Sequence, residues 1–113
     1  MGQSTFQQVG RLIAEAGSFL LVSHIRADGD AIGSLLGMGL SLQAAGKRVQ
    51  MALPDGPPSR YKHLPGIDQV RYCAKEPYDL SIVLDCSDLA RTGTLLKGQV
   101  PDINIDHHIT NLN

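Results

Sequence analysis

Short, almost wholly apolar runs that alternate with longer helix-like segments restrict the fold of this chain more than any other feature. Residues 19–23 (FLLVS) and 80–84 (LSIVL) are such runs, as expected for strands buried on both faces of a sheet. The predicted strands are 19–23, 48–53, 69–72, 80–84 and 100–105, and the predicted helices are 5–16 and 30–45, with a short helical turn at 60–63. This alternation predicts an α/β fold with three layers, in which a mostly parallel sheet has helices on both faces.

The composition is that of an ordinary folded domain with almost no net charge. Of its 113 residues, 42% are hydrophobic and 19% are charged, with ten basic and eleven acidic side chains. A near-neutral chain is poorly suited to binding long nucleic acid through many phosphates. It can still hold a short, phosphate-bearing substrate in one pocket.

Cysteine usage and hydropathy favour a cytoplasmic protein with no membrane partner. The two cysteines, Cys73 and Cys86, form neither a CxxC pair nor a dense disulfide pattern, which favours a reducing compartment. The longest uncharged stretch, residues 31–46, is shorter than the roughly 20 apolar residues that span a bilayer. We therefore expect a cytoplasmic location.

Candidate metal ligands follow three of the predicted strands. His24, Asp28 and Asp30 follow the first strand, Asp85 follows LSIVL, and residues 106–108 (DHH) follow the last strand. Because the carboxyl ends of parallel strands lie at one edge of a sheet, we expect these side chains to meet there. Carboxylates together with imidazoles suit divalent cations such as manganese, iron, cobalt or zinc. Acids gathered at one edge would repel one another without a cation, so the combination favours a metal site.

Each group also has a purely structural interpretation when it is considered alone. Asp28 or Asp30 would be a good N-cap for the helix that follows, and either acid favours the positive end of that helix. Adjacent histidines are often surface residues. A structural zinc module is poorly supported, because the candidate ligands are mostly oxygen and no cysteine pair is available.

Glycines recur through the predicted helix 30–45 and just before it. Gly37 and Gly39 are expected to allow close packing of the helix on the sheet. Gly29 and Gly33 lie near the start of the helix, where free backbone N–H groups can bind a phosphate. Neither a GxGxxG nor a GKS/T pattern is present, so a Rossmann or P-loop nucleotide site is not supported.

These residues resemble the first three motifs of the DHH phosphoesterases. The matching segments are HIRADGDAIGS (24–34), VLDCSD (83–88) and IDHHITN (105–111), which agree in order, spacing and strand context. The resemblance extends from residue 5 onward and is closest to the branch of bacterial oligoribonucleases and 3′-phosphoadenosine-phosphate phosphatases. One departure is Ala27, where the family often has proline.

The resemblance implies two bound divalent cations, with manganese expected first and magnesium or cobalt as alternatives. His24 and Asp28 would bind the first ion, Asp30 and His107 would bind the second, and Asp85 would bridge the two.

The same resemblance implies further roles at the site. His108 would act on the reacting phosphate, so that His108 and Asp85 would be the catalytic residues. Asp106 would orient the histidine pair rather than bind a metal. The substrate contacts that the resemblance implies are Ser34, Arg91 and Asn111.

The family pattern also indicates that residues 1–113 are the N-terminal portion of a DHH domain. Eight residues follow the last predicted strand, so no helix is available to cover it. The family supplies a further metal-binding aspartate and a C-terminal substrate-binding domain from later segments. We therefore expect the remainder of the DHH domain and that second domain to lie outside this chain, and residues 1–113 alone to be weakly active or inactive.

The implied activity is hydrolysis by metal-activated water. The expected substrates are short single-stranded RNA, including linear dinucleotides, or 3′-phosphoadenosine-5′-phosphate, and a homodimer of the intact protein is one expected assembly. An inorganic pyrophosphatase or an exopolyphosphatase of the same superfamily is an alternative. A non-catalytic nucleotide-sensing domain is a second, less favoured because every ligand expected in this stretch is present.

Overall fold

The computed structural model describes residues 5–75, 77–84, 92–93, 95–96 and 101–105. Within these described residues, two α-helices, α1 (Thr5–Glu15) and α2 (Gly29–Ala44), accompany five strands. The strands are β1 (Ser18–Val22), β2 (Arg48–Ala52), β3 (Val70–Arg71), β4 (Leu80–Leu84) and β5 (Ile103–Ile105). Short 3₁₀ turns lie at Ser59–Tyr61 and Ile67–Gln69. All predicted helices and strands are confirmed, with boundaries that differ by at most three residues, whereas the second 3₁₀ turn is not predicted from the sequence.

All five strands are parallel and form one sheet in the order β3-β2-β1-β4-β5. From β1 the chain proceeds to β2 and β3 on one side, and then returns to β4 and β5 on the other. The order therefore reverses between β1 and β4, and ligands of such sheets bind beyond the carboxyl ends of the strands at this point. The α/β class and the parallel sheet are thus confirmed.

Alternating side chains of the strands bury both faces of the sheet. One face, with Phe19 and Leu21 of β1 and Ile82 of β4, packs with both α-helices in the larger core cluster. The opposite face carries Leu20 and Val22, which pack with Leu95 and Leu96 in a second, smaller core cluster. Burial on both faces explains why β1 and β4 are continuous apolar runs.

Side-chain hydrogen bonds join β1 and β4 at both of their ends. At the amino ends, a carboxylate oxygen of Asp79 accepts from the backbone N–H of Gly17 at 2.9 Å and of Ser18 at 3.2 Å. At the carboxyl ends, the buried Ser23 hydroxyl donates to the carbonyl oxygen of Leu84 at 2.7 Å. These contacts join β1 to β4 at both ends of the pair, across the point where strand order reverses.

The small residues of α2 have two different surroundings. A Cβ on Gly39 would collide with the Sδ of Met51, a β2 residue that is almost fully buried, so the predicted close packing is confirmed there. Gly37 is exposed, and no described residue lies within 4 Å of the Cβ that alanine would add. The prediction that Gly37 also packs against the sheet is wrong, because residues 37 and 39 lie on different sides of a helix with 3.6 residues per turn.

Among the described residues, no helix is long and apolar enough to cross a membrane.

Candidate metal centre

The loop between β1 and α2 carries His24 and Asp28, the first turn of α2 carries Asp30, and His24 is the buried one of these three predicted metal ligands. Its side chain is 7% exposed, and its Nδ1 lies 2.7 Å from the carbonyl oxygen of Ile25. A carbonyl oxygen can only accept, so the proton of the neutral imidazole must be on Nδ1. That tautomer leaves the lone pair of Nε2 available, as in metal-binding histidines whose other nitrogen donates to a backbone carbonyl.

Asp28 caps α2, which confirms the structural interpretation for one of the two acids. Its backbone is extended, and its Oδ1 accepts from the N–H of Ala31 at 2.9 Å. Asp30 lies in the first turn of the helix, where the helix dipole stabilises a negative charge. Both acids are exposed. Capping and metal binding are compatible for Asp28, because a carboxylate has two oxygens and several lone pairs.

Ser34, a predicted substrate contact, lies on α2 and is half-buried. It follows Asp30 by four residues, and residues with this spacing are neighbours on the surface of a helix. The structure therefore brings Ser34 to the same side of α2 as Asp30.

The remaining predicted site residues lie outside the described residues. They are Asp85, Arg91, Asp106, His107, His108 and Asn111. The described strands nevertheless end next to two of these positions, because β4 ends at Leu84 and β5 ends at Ile105. Leu84 and Ile105 are paired in the parallel register of β4 and β5.

The described residues by themselves do not complete a metal site. Within this part of the chain, no group of three His, Cys, Asp or Glu side chains is close enough to hold an ion. His24, Asp28 and Asp30 supply one imidazole and two carboxylates from a single loop and helix start, a donor set that suits divalent cations with mixed oxygen and nitrogen ligands. A metal site at this edge of the sheet would therefore need ligands from other segments.

A cleft that the sequence analysis did not anticipate lies beside this loop. It has a volume of about 450 Å³ and is lined from one side by Arg26 and Ala27. The lining from the other side comes from the segment after β2, namely Asp55, Gly56, Pro58, Ser59 and Arg60. A carboxylate oxygen of Asp55 accepts from the backbone N–H of Arg26 at 3.0 Å and ties the two segments together. The prolines and glycines that follow β2 are typical of a loop, but they do not indicate its contact with the loop after β1.

Comparison with known proteins identifies the family. Residues 18–113 match the family model described as "DHH family, N-terminal domain". The chain is 35% identical over 109 residues to the bifunctional oligoribonuclease and PAP phosphatase NrnA of Thermus thermophilus. The aligned region covers 89% of this chain and 32% of that protein.

A solved structure shares the fold. The crystal structure of an exopolyphosphatase-related protein from Bacteroides fragilis superimposes with a TM-score of 0.79 and 25% identity, covering 92% of this chain and 34% of that one. This chain thus spans about a third of the length of both proteins. Because the family model matches most of its residues, the chain belongs to the DHH family.

Proposed function

We propose that the intact protein containing this chain hydrolyses phosphoester bonds in short oligoribonucleotides, linear dinucleotides or 3′-phosphoadenosine-5′-phosphate with two divalent cations. The family and the 35% identical oligoribonuclease and PAP phosphatase support a phosphoesterase. The observation that carries the proposal is the 2.7 Å contact between Nδ1 of His24 and the carbonyl oxygen of Ile25. This Nδ1 donates to the Ile25 carbonyl oxygen beside the strand-order reversal, so Nε2 of His24 is available to a metal there.

The proposed ligands come from three segments of the chain. His24 and Asp28 would hold one ion, Asp30 and His107 would hold the other, and Asp85 would contribute to both. Manganese is the proposed metal, with magnesium or cobalt as substitutes. Bound cations of this kind lower the pKa of a water molecule and stabilise charge on the attacking and leaving oxygens of a phosphoester.

The chain's own residues would supply positioning and proton transfer. The Nδ1–H bond of His24 orients its ring, and the capping bond of Asp28 holds that carboxylate at the start of α2. His108 is proposed to donate to a phosphate oxygen or to the leaving group, while Asp106 orients the histidine pair. Ser34, Arg91 and Asn111 are the proposed substrate contacts.

The proposed setting of this chain follows the family pattern. Residues 1–113 would be the N-terminal portion of a DHH domain, in a cytoplasmic enzyme whose further segments complete the second metal site and bind the rest of the substrate. A homodimer of the intact protein is part of the proposal.

A second candidate function is hydrolysis of inorganic polyphosphate or pyrophosphate. The similarity to the exopolyphosphatase-related protein, with a TM-score of 0.79 and 25% identity, supports this second candidate. Both functions would use the same metal ligands, so substrate preference separates them.

Hydrolysis assays on the intact protein test the proposal. We expect manganese-dependent release of mononucleotides from a diribonucleotide or short oligoribonucleotide, and loss of that activity in EDTA. The Asp85→Ala variant should lose at least about 100-fold in kcat, since removal of a bridging carboxylate disturbs both ions.

Comparison of substrates and of chain length provides the controls. Faster turnover of polyphosphate than of any oligoribonucleotide would favour the second candidate, and full activity of Asp85→Ala would contradict the bridging role. Residues 1–113 alone should hydrolyse little substrate. Robust manganese-dependent activity of this segment alone would contradict the need for further ligands.

A further inference from the structure

The cleft between the loop after β1 and the segment after β2 carries two arginine side chains. Arg26 and Arg60 both line this cleft and are exposed. In the described part of the chain, neither guanidinium forms a hydrogen bond or an ion pair. The Arg60 guanidinium lies 5.1 Å from the centre of the Tyr61 ring, a cation–π contact that restricts its position.

One acid, Asp55, also lines the cleft, but its carboxylate is already engaged. Its Oδ2 accepts from the backbone N–H of Arg26, and this bond holds Arg26 in a left-handed conformation with φ of 53°. Arg26 is the one non-glycine residue with positive φ among those described, and such conformations persist only where surrounding contacts impose them. The lining thus has two positive charges against one negative charge, with Ser59 beside them.

The position of the cleft relates it to the proposed metal site. Arg26 and Ala27 lie between His24 and Asp28, so the cleft wall and two proposed metal ligands belong to one five-residue segment. Ala27 is adjacent to Asp28, and consecutive Cα atoms are about 3.8 Å apart. The cleft lies on the β2 side of β1, whereas β4 and β5 lie on the other side. A substrate that extends from the metal site past the end of β1 would enter it.

From this arrangement we infer that the cleft is a subsite for a second phosphate group of the substrate, one nucleotide away from the bond that is cleaved. The inference rests on the proposed function. Arginine binds phosphate through two parallel N–H bonds, and the two guanidinium groups would face the same phosphate from different segments. The Asp55 bond fixes the backbone of Arg26 at the wall of the cleft, and the Tyr61 contact restricts the guanidinium of Arg60. The volume of about 450 Å³ is within the range of small-ligand clefts.

The test compares a 5′-phosphorylated diadenylate, pApA, with the unphosphorylated ApA as substrates of the intact protein. The wild type should prefer pApA by about tenfold or more in KM, because charge-assisted hydrogen bonds are worth that much in an accessible cleft. Arg26→Gln and Arg60→Gln should each reduce this preference several-fold, and the double variant should abolish it. The readout is the ratio of the two KM values, so a general loss of activity does not affect it.

Lys62→Gln is the matched control, because Lys62 is an exposed cation close to Arg60 in sequence that does not line the cleft. The control should keep the preference of the wild type. If Lys62→Gln reduced the preference for pApA as much as the arginine variants do, the preference would come from general surface charge. This result would overturn the inference. So would an unchanged preference in the double variant, or a wild type that does not distinguish pApA from ApA.

A binding measurement separates failure of this inference from failure of the proposed function. If the wild type hydrolyses neither dinucleotide nor 3′-phosphoadenosine-5′-phosphate with manganese, the proposed function fails. Titration of the wild type and the double variant with adenosine 5′-phosphate in EDTA then tests the cleft by itself. Binding by the wild type that falls about tenfold in the double variant, with adenosine itself binding weakly to both, supports the subsite. Equal binding by wild type and double variant, or none by either, overturns it.

Discussion

Asp28 shows how one carboxylate can contribute to both folding and function. Its Oδ1 caps α2, while the second oxygen of a carboxylate gives it further capacity to accept bonds. From the sequence alone, capping and metal binding are competing interpretations of this acid. The geometry makes them compatible, because the end of a strand and the start of the next helix meet at the edge where the site is proposed.

Substitution of Asp28 separates these two roles. Asparagine caps helices about as well as aspartate, so Asp28→Asn should keep the metal-free free energy of unfolding near that of the wild type. Asp28→Ala should lower it by about 1 kcal/mol. Both variants should lose most of the additional stability that the wild type gains from manganese. Denaturant unfolding with EDTA or manganese measures both effects.

The stability of the two variants in EDTA is the control for capping. Equal destabilisation by asparagine and alanine would show that the cap contributes little. Undiminished stabilisation of Asp28→Asn by manganese would show that Asp28 is not a ligand.

His24 illustrates what the sequence leaves open at the scale of a residue. Its position after an apolar strand indicated a ligand, but the sequence did not specify its tautomer. The tautomer depends on the Ile25 carbonyl oxygen 2.7 Å from Nδ1, a contact set by the local backbone path. Arg26 is similar, because its positive φ depends on the Asp55 carboxylate, 29 residues away in sequence.

At the scale of an element, α2 combines a fully packed side with an exposed one. Ala31, Ile32 and Leu35 are completely buried, whereas Gly33 and Gly37 are exposed. The sequence predicted this helix to within one residue at each end. It did not reveal which glycines face the sheet, because a helix made almost wholly of apolar and small residues has little contrast between its two sides.

Matched alanine substitutions distinguish the two kinds of glycine. Gly37→Ala should raise the free energy of unfolding by about 1 kcal/mol, because alanine is a better helix former and its Cβ would enter open space. Gly39→Ala gains the same helix propensity but must displace buried Met51, and overpacking of a core costs about 1–3 kcal/mol. We expect Gly39→Ala to be the less stable variant by about that amount in urea unfolding. Equal stabilities of the two variants would show that Met51 moves without cost.

At the scale of the whole molecule, the sheet depends on side chains that join neighbouring strands at their ends. Asp79 joins β1 and β4 at the amino edge and Ser23 joins them at the carboxyl edge. Asp102 similarly joins β5 to β4 by accepting from the N–H of Ser81 at 2.8 Å. These bonds connect residues far apart in sequence and align the strand ends from which the proposed site is built.

The Asp79 contact predicts a dependence of stability on pH. The backbone N–H groups of Gly17 and then Ser18 hold the pKa of the Asp79 carboxyl below its usual value. A lowered native pKa stabilises the fold at pH values above the unfolded pKa of about 4, and this stabilisation is lost as the pH falls through the native pKa. Asp79→Asn should therefore be less stable than the wild type at pH 7, with the difference shrinking below about pH 4.

Urea unfolding between pH 7 and pH 3 measures this change, with Asp68→Asn as a control at another exposed carboxylate. A difference between wild type and Asp79→Asn that stays constant over this range would contradict the lowered pKa.

The sequence by itself determined the α/β class, the parallel strands and the DHH family, because buried strands are continuous apolar runs and the three motifs are local in sequence. It also identified His24, Asp28 and Asp30 as candidate ligands. Only the tertiary structure decided the strand order β3-β2-β1-β4-β5, which places β1 beside β4. It alone revealed the cleft between Arg26 and Arg60, because that cleft exists only where two loops distant in sequence are joined by Asp55. Periodicity and motifs report on local conformation, whereas contacts between distant segments depend on how the whole sheet is assembled.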